Sequence, residues 1–328
     1  MQRYFRSDKQ GFTRKFVVRV GLVLAVALLL PLLGSAQIII KLKKDFINKF
    51  EDRVTIDAHF TVEATSKIHA QKDDGDIHVA GTAPEIGLTT VAEVMNARTE
   101  KTGAVKALQD AKGGAPIEIV GAWRIWAEHG GQTEEIQDAA TDPIANSGVA
   151  HVFEIHPITT VGTQDIRHTW VPIPGFTYKE ADQAFTVYER TRSQISEDAD
   201  SVTISTEKAG YNYTEFIAEL TSDPLALTDG TVLYAQIFDL NGELIVTKRR
   251  LVTAKGTPTD DVMKKMKKGA RMKVVGVPRV SLKLVNWRLA HHTEPKYAGS
   301  LTWNLPYELI IVAITESNQA AIKLEDTP

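Results

Sequence analysis

Residues Ile117–Arg124 read IEIVGAWR, and residues Met272–Arg279 read MKVVGVPR. Each phrase is apolar, has one central glycine and ends on an arginine. A second pair of phrases precedes them, DGDIHVA from Asp74 and DGTVLYA from Asp229. Asp74 precedes Gly121 by the same number of residues as Asp229 precedes Gly276. Matches in constant order indicate a repeated structural unit.

The match extends in both directions along the chain. FEIHPI from Phe153 corresponds to YELIIV from Tyr307, and EDRVTID from Glu51 corresponds to DADSVTIS from Asp198. Four ordered matches at nearly constant offset predict an internal duplication, with two copies of one folding unit in the chain.

Each unit has the pattern of a small barrel. Alternating apolar residues predict strands, Asn241-Gly242 predicts a hairpin turn, and a helix capped by Thr259 precedes the glycine-centred strand of the second copy. Five strands with a helix before the fourth are typical of an OB-fold barrel. We therefore predict a mainly β protein with accessory helices and two tandem OB-like barrels at residues 45–172 and 176–328, the second preceded by a bridging helix within Tyr178–Ile195.

The phrases DGDIH, GAWR and EIHPI together resemble OB-fold-like modules of exported bacterial proteins. The resemblance covers mainly residues 54–165. It implies an OB fold and a location outside the cytoplasm, and it transfers no catalytic residue to this chain.

The N-terminus predicts export. A basic stretch precedes the apolar run Val20–Leu33, and Gly34-Ser35-Ala36 resembles a signal-peptidase site. Residues 1–36 are therefore predicted to be a signal peptide or, if uncleaved, a membrane anchor, which places the chain in the periplasm, at the membrane or outside the cell. The chain has no cysteine, which excludes disulfides, thiol nucleophiles and thiolate metal sites.

Two charged positions recur in both copies. Arg124 and Glu154 in the first copy correspond to Arg279 and Glu308 in the second. Residues that stay charged in both copies predict a recurrent buried or half-buried ion pair.

Other polar residues occur only in the first copy. Asp76, His78 and His156 are unmatched, and the second copy has threonine, leucine and isoleucine there. A strand period of two places Asp76 with His78 and Glu154 with His156, whereas His151 would face the other way. Two imidazoles and two carboxylates are ligands for a divalent metal; the alternative is that both histidines lie at solvent-facing or barrel-end positions and form local hydrogen bonds.

A basic segment, residues 248–288, contrasts with an acidic remainder, and the chain carries a net charge of −3. This overall charge argues against general nucleic-acid binding, and a solvated surface explains the segment without any ligand. OB barrels bind polymers across strands 2 and 3. The candidate ligand-binding residues are Lys248, Arg249, Arg250, Lys255, Tyr234 and Phe238.

The prediction for the whole chain is an exported or membrane-tethered binding or scaffold protein without catalysis or cofactor. Its partner would be an anionic polymer, a lipid headgroup or another protein. The alternative is a metal-dependent hydrolase with a divalent ion held by Asp76, His78, Glu154 and His156.

Overall fold

The strands and helices come from a computed structural model, which describes residues 37–131 and 134–317. The strands are β1 (Ile38–Lys43), β2 (Thr55–Thr65), β3 (His78–Thr82), β4 (Thr90–Glu93), β5 (Ile117–Ile125), β6 (Glu134–Ile136), β7 (Phe153–Val161), β8 (Gln164–Asp165), β9 (Lys179–Glu180), β10 (Ser193–Glu197), β11 (Ser201–Thr206), β12 (Thr214–Leu220), β13 (Leu225–Ala226), β14 (Gly230–Phe238), β15 (Leu244–Ala254), β16 (Arg271–Val280) and β17 (Tyr307–Ser317). The helices are α1 (Lys44–Phe50), α2 (Ala104–Asp110), α3 (Ala181–Arg190), α4 (Pro258–Met263) and α5 (Leu282–His291).

The N-terminal prediction falls outside this description. Residues 1–36, predicted to be a signal peptide or anchor, are not among the described residues. Across 37–131 and 134–317, no helix is both long and apolar enough to cross a membrane.

The first barrel consists of β2, β3, β4, β5 and β7. Antiparallel pairing runs from β4 through β3, β2 and β5 to β7, and a parallel pair between β7 and β4 closes the ring. Helix α2 connects the third and fourth strands of the ring. This strand order is that of an OB-fold.

The second barrel repeats this connectivity with β12, β14, β15, β16 and β17. Its ring closes through a parallel pair between β15 and β17, and α4 connects its third and fourth strands. The predicted mainly β fold with two OB-like barrels is confirmed.

The glycines of the two quoted phrases lie at bends in β5 and β16. The strand register shifts at Gly121 and again at Gly276. A Cβ on Gly121 would lie 2.5 Å from Ile155 Cγ2, and one on Gly276 would lie 2.9 Å from Phe216 Cε1. Both contacts are too close for a side chain. Glycine is therefore needed where each fourth strand bends against the interior of its barrel.

The alignment of the aspartate phrases is wrong by one residue. Val79 and Leu233 both lie in the hydrophobic core, whereas His78 lies on the outer side of its strand. Val232, and not Leu233, is therefore the counterpart of His78. A slip of one residue reverses the face of every side chain in a strand.

The N-terminal match of the repeat is also wrong. EDRVTID ends in β2 of the first barrel, but DADSVTIS ends in β11, which belongs to a third sheet ordered β10-β11-β1-β6. This sheet takes strands from both halves of the sequence. The true counterpart of β2 is β12, because each pairs with the second and the fourth strand of its ring.

Two helices differ in detail from the prediction. Helix α3 lies within the predicted Tyr178–Ile195, but Ile195 itself belongs to β10. Helix α4 begins two residues early, because the hydroxyl of Thr257, and not that of Thr259, accepts the Asp260 backbone N–H.

Reciprocal arginine contacts join the two barrels. Arg124 Nε of the first barrel donates to the Pro278 carbonyl of the second, at 2.8 Å. Arg279 Nη1 of the second barrel donates to the Trp123 carbonyl of the first, at 3.0 Å, and its guanidinium stacks on the Trp123 ring. Strands β5 and β16 therefore pack against each other through the arginines that end the quoted phrases.

Each arginine is held by a glutamate of its own barrel. Arg124 pairs with Glu154, and Arg279 pairs with Glu308 at 2.7 Å; all four side chains are buried. The predicted recurrent ion pair is confirmed. Burial alone would raise the pKa of Glu308, but Arg279 and Arg250 outweigh it and hold the pKa below its ordinary value.

Replacing Glu308 by glutamine should destabilise the protein strongly. Glu308→Gln leaves two buried arginines, Arg279 and Arg250, without their counter-charge. Breaking a buried pair in this way costs about 3–5 kcal/mol, measurable by denaturant unfolding. The control Glu197→Gln breaks an exposed pair with Lys44 and should cost less than about 1 kcal/mol. Equal losses in the two variants would contradict the structural role of the buried pair.

Candidate functional site

The four predicted metal ligands fall into two separate pairs on the outward-facing side of the first barrel, Asp76 with His78 and Glu154 with His156. His78 begins β3, Glu154 and His156 lie on β7, and β4 lies between these strands in the ring. The last residue of β4, Glu93, joins them: Oε1 is 3.5 Å from His78 Nε2, and Oε2 is 3.2 Å from His156 Nδ1. The sequence analysis missed this central carboxylate.

On one side of Glu93 lies what we call the outer group: His69, Asp76, His78 and Glu93. His69 Nδ1 is 2.7 Å from Asp76 Oδ1, and His78 Nε2 is 3.4 Å from Asp76 Oδ2. The side chains of His69 and His78 are 33% and 25% exposed, whereas that of Asp76 is 0% exposed. The outer group is therefore open to solvent through its histidines.

An extension of the β2–β3 hairpin positions the outer group. The His69 backbone N–H donates to the Asp76 carbonyl, and the Ser66 N–H donates to the His78 carbonyl, each at 2.8 Å. The chain turns between them, where Asp74 adopts a φ of 84°. His69 and His78 thus lie on opposite arms of one hairpin. The recurrence of histidine on both sides of KDDGD was a signal for His69 in the sequence.

Asp76 and Glu93 keep buried oxygens without hydrogen bonds. Neither carboxylate oxygen of Asp76 has a hydrogen bond of acceptable geometry within the described residues, although His69 lies 2.7 Å away. Glu93 Oε2 has none either. A buried carboxylate without a partner is costly, so these oxygens are suited to receive a cation.

On the other side of Glu93 lies what we call the inner group: Arg124, Glu154, His156 and Tyr213. His156 Nδ1 is 3.2 Å from Glu154 Oε2, and its Nε2 is 2.7 Å from the Tyr213 hydroxyl. Arg124 donates to the same Glu154 oxygen. These four side chains are buried, and the guanidinium already supplies the cation that Glu154 requires.

The pKa shifts in the outer group follow from burial and from contacts between its carboxylates and histidines. Burial alone would raise the pKa of Asp76, but His69 and His78 hold it well below its ordinary value. Burial alone would lower the pKa of His78, but Glu93 and Asp76 raise it to about 10. Burial raises the pKa of Glu93. The outer group therefore combines an ionised Asp76 and a charged His78 with a Glu93 carboxyl that burial makes harder to ionise.

The second barrel builds the same row of positions from apolar residues. In the first barrel, His78 pairs with Glu93 across β3 and β4, and Glu93 contacts His156 on β7. The corresponding row in the second barrel is buried and consists of Val232, Val252 and Ile310. The fold therefore does not require charged residues in this row.

The prediction for His151 is wrong. His151 precedes β7, so the alternation of strand side chains does not extend to it. Its Nε2 lies 3.4 Å from Glu154 Oε1, and its ring stacks on His129. His151 thus faces the inner group from the side opposite His156.

Three of the predicted ligand-binding residues lie on the outer face of the second barrel. Tyr234 and Phe238 are half-buried on β14 and alternate with buried residues, as predicted. Lys248 Nζ lies 4.9 Å from the centre of the Tyr234 ring, and Arg271 Cζ lies 4.5 Å from that of Phe238. We call these four residues the aromatic–cation face.

The other three predicted residues are placed differently. Arg249 pairs with Glu189 and stacks on the Tyr307 ring. Arg250 is buried against Glu308. Lys255 is exposed, but it lies beyond the end of β15. The two arginines are thus committed to internal contacts.

No family model and no curated protein matches the chain. Among solved structures, the Ifi202 HINa domain in complex with 20bp dsDNA is similar at 8% identity and a TM-score of 0.18, covering 78% of this chain and 93% of that chain. A structure described as "Structural mimicry for functional antagonism" is similar at 9% identity and a TM-score of 0.17, covering 71% and 90%. Similarity at this level says nothing about what this chain binds.

Removing the Tyr213 hydroxyl should destabilise the inner group modestly. Tyr213→Phe deletes the hydrogen bond to His156 Nε2 and leaves that buried nitrogen without its partner. The expected loss is about 1–3 kcal/mol in the free energy of unfolding. Tyr234→Phe, at a half-exposed ring, is the control and should change stability by less than about 0.5 kcal/mol. If Tyr213→Phe changed the free energy of unfolding as little as the control does, the hydrogen bond to His156 would not stabilise the protein.

Proposed function

We propose that the protein is an exported or membrane-tethered binding protein without catalysis of its own, and that it binds an anionic polymer through the aromatic–cation face. OB barrels bind extended polymers across strands 2 and 3 of the ring. In the second barrel these strands are β14 and β15, which carry Tyr234, Phe238 and Lys248.

The observation that carries this proposal is the pairing of each half-exposed ring with a cation. A ring offers a flat apolar surface, and the cation above it attracts negative charge. Phe238 and Tyr234 are separated by three residues of one strand, so a chain lying along β14 can contact both pairs. This arrangement suits a polymer whose flat units alternate with anionic groups.

A groove continues from this face. It has a volume of about 600 Å³ and lies between the tip of the β14–β15 hairpin and strands β12 and β16. Leu240, Arg271 and Lys273 contribute to its walls. Lys273 is partly neutralised by Glu215 at 3.3 Å, so Arg271 is the principal cation of the groove.

The junction between the barrels supports a scaffold role. Reciprocal contacts of Arg124 and Arg279 fix the two barrels against each other. A ligand bound to the second barrel is therefore held at a constant position relative to the outer group of the first.

A metal-dependent hydrolase remains the second candidate, because the outer group combines metal-ligating residues with partial exposure. Hydrolysis would require a coordination position left for water. Turnover of an ester or phosphoester substrate by zinc- or manganese-loaded protein would favour this candidate over a binding protein.

Substitutions on the aromatic–cation face should weaken binding to a polyanion. The probes are heparin and an oligothymidylate strand, with affinity measured at fixed salt. Tyr234→Ala and Phe238→Ala should each lower the affinity about 10-fold, since stacking on one ring contributes about 1–3 kcal/mol. Lys248→Glu should act in the same direction and more strongly at low salt.

The control for these variants is Lys112→Glu, which makes the same charge change at an exposed position of the first barrel. It should leave binding nearly unchanged. Unaltered affinity in Tyr234→Ala and Lys248→Glu would place the binding surface elsewhere, and no binding of either probe by the wild type would contradict an anionic polymer as the ligand.

A further inference from the structure

We propose that the outer group is a metal site that binds one divalent ion of the zinc type through His69, Asp76, His78 and Glu93. The site is independent of the aromatic–cation face. It differs from the set predicted from the sequence, because it replaces Glu154 and His156 by His69 and Glu93.

Ligand atoms of His69, Asp76 and His78 all lie within 4.8 Å of one another, and Glu93 adds a carboxylate beside His78. Bonds of about 2.0–2.1 Å to nitrogen and oxygen place neighbouring ligand atoms about 3.3 Å apart. His78 Nε2 lies 3.4 Å from Asp76 Oδ2 and 3.5 Å from Glu93 Oε1. His69 Nδ1 is closer, at 2.7 Å from Asp76, and its side chain is partly exposed.

The carboxylates of the outer group have only imidazoles as charged partners. Asp76 is fully buried, and both of its oxygens lack a hydrogen bond of acceptable geometry. Within the described residues, neither Asp76 nor Glu93 forms an ion pair with a lysine or arginine. An ion bound between these carboxylates would satisfy the oxygens that the protein leaves without partners.

The inner group is the competing site, and Arg124 excludes it. Glu93, Glu154 and His156 are close enough together to bind a metal. However, the guanidinium of Arg124 donates to the Glu154 oxygen nearest to His156, so it occupies the position of a cation. Burial alone would lower the pKa of Arg124, but Glu154 outweighs it and raises the pKa, which keeps the arginine charged.

The second barrel supplies an internal comparison. The row of His78, Glu93 and His156 is replaced there by valine, valine and isoleucine, all of them buried. Burying ionisable groups where apolar ones serve the fold costs stability unless the charges have partners. Arg124 is the partner of the inner group, whereas the partners of the outer carboxylates are the imidazoles of His69 and His78, which are themselves metal-ligating groups.

Metal analysis of the full-length protein tests this assignment. The wild type, stripped with a chelator and incubated with excess zinc, should retain about one equivalent after desalting, and its melting temperature should rise with zinc concentration. Cobalt should give the visible absorption of a low-coordinate site, and magnesium should not compete, because imidazole ligands favour zinc-type ions.

Variants separate the two groups. Asp76→Asn and His78→Gln should each lower zinc affinity at least about 100-fold, since loss of a ligand exceeds the effect of a residue that only orients one. His69→Gln changes a partly exposed side chain and provides a folded variant if Asp76→Asn does not fold. Glu154→Gln should retain the bound ion.

The matched control is His59→Gln. His59 also lies 2.7 Å from a carboxylate, that of Glu85, but its side chain is exposed, and within residues 37–131 and 134–317 the pair belongs to no group of three metal-ligating residues. This variant should bind zinc as the wild type does. The proposal fails if the wild type binds no zinc, if His69→Gln and His78→Gln bind it unchanged, or if Glu154→Gln alone abolishes binding.

Discussion

Two buried arginines, each paired with a glutamate of its own barrel, constrain the rest of the structure. Arg124 and Arg279 donate to backbone carbonyls of the opposite barrel while Glu154 and Glu308 hold their charges. A fully buried guanidinium must satisfy its N–H groups, and the observed placement of the barrels provides a carbonyl of the opposite barrel for each arginine. The electrostatics of each barrel therefore fix the position of the other.

The sequence could predict this part because its requirements are local. A bend in a strand against a packed interior needs glycine, so Gly121 and Gly276 recur. Arg124 faces Glu154, and Arg279 faces Glu308, as direct cross-strand partners. The same chemistry at the same place requires the same residue types in each copy, and the matches could be read without a structure.

The remainder depends on contacts between distant segments. All four residues of β4 are buried, so no alternation marked Glu93 as a neighbour of His78 and His156. His151 lies before its strand, where the period of two does not apply. Arg250 lies in a basic run typical of a surface, yet the parallel closure of the second barrel places it against Glu308. Pairing between strands, rather than order along one strand, decides each of these positions.

The two barrels differ in one row of residues on their outward-facing sides, and this difference separates what the fold requires from what it does not. The same row on the outward-facing side is apolar and buried in the second barrel, whereas in the first it carries a partly exposed His78 and the buried Glu93 and His156. The apolar row is sufficient for the fold. Burying charged groups in its place costs folding free energy, and packing alone does not explain why they are there. Arg124 offsets this cost for the inner group only, because it neutralises Glu154. The outer group is open to solvent and combines two imidazoles with carboxylate oxygens that lack hydrogen bonds, and this combination is the basis of the cation site proposed for it.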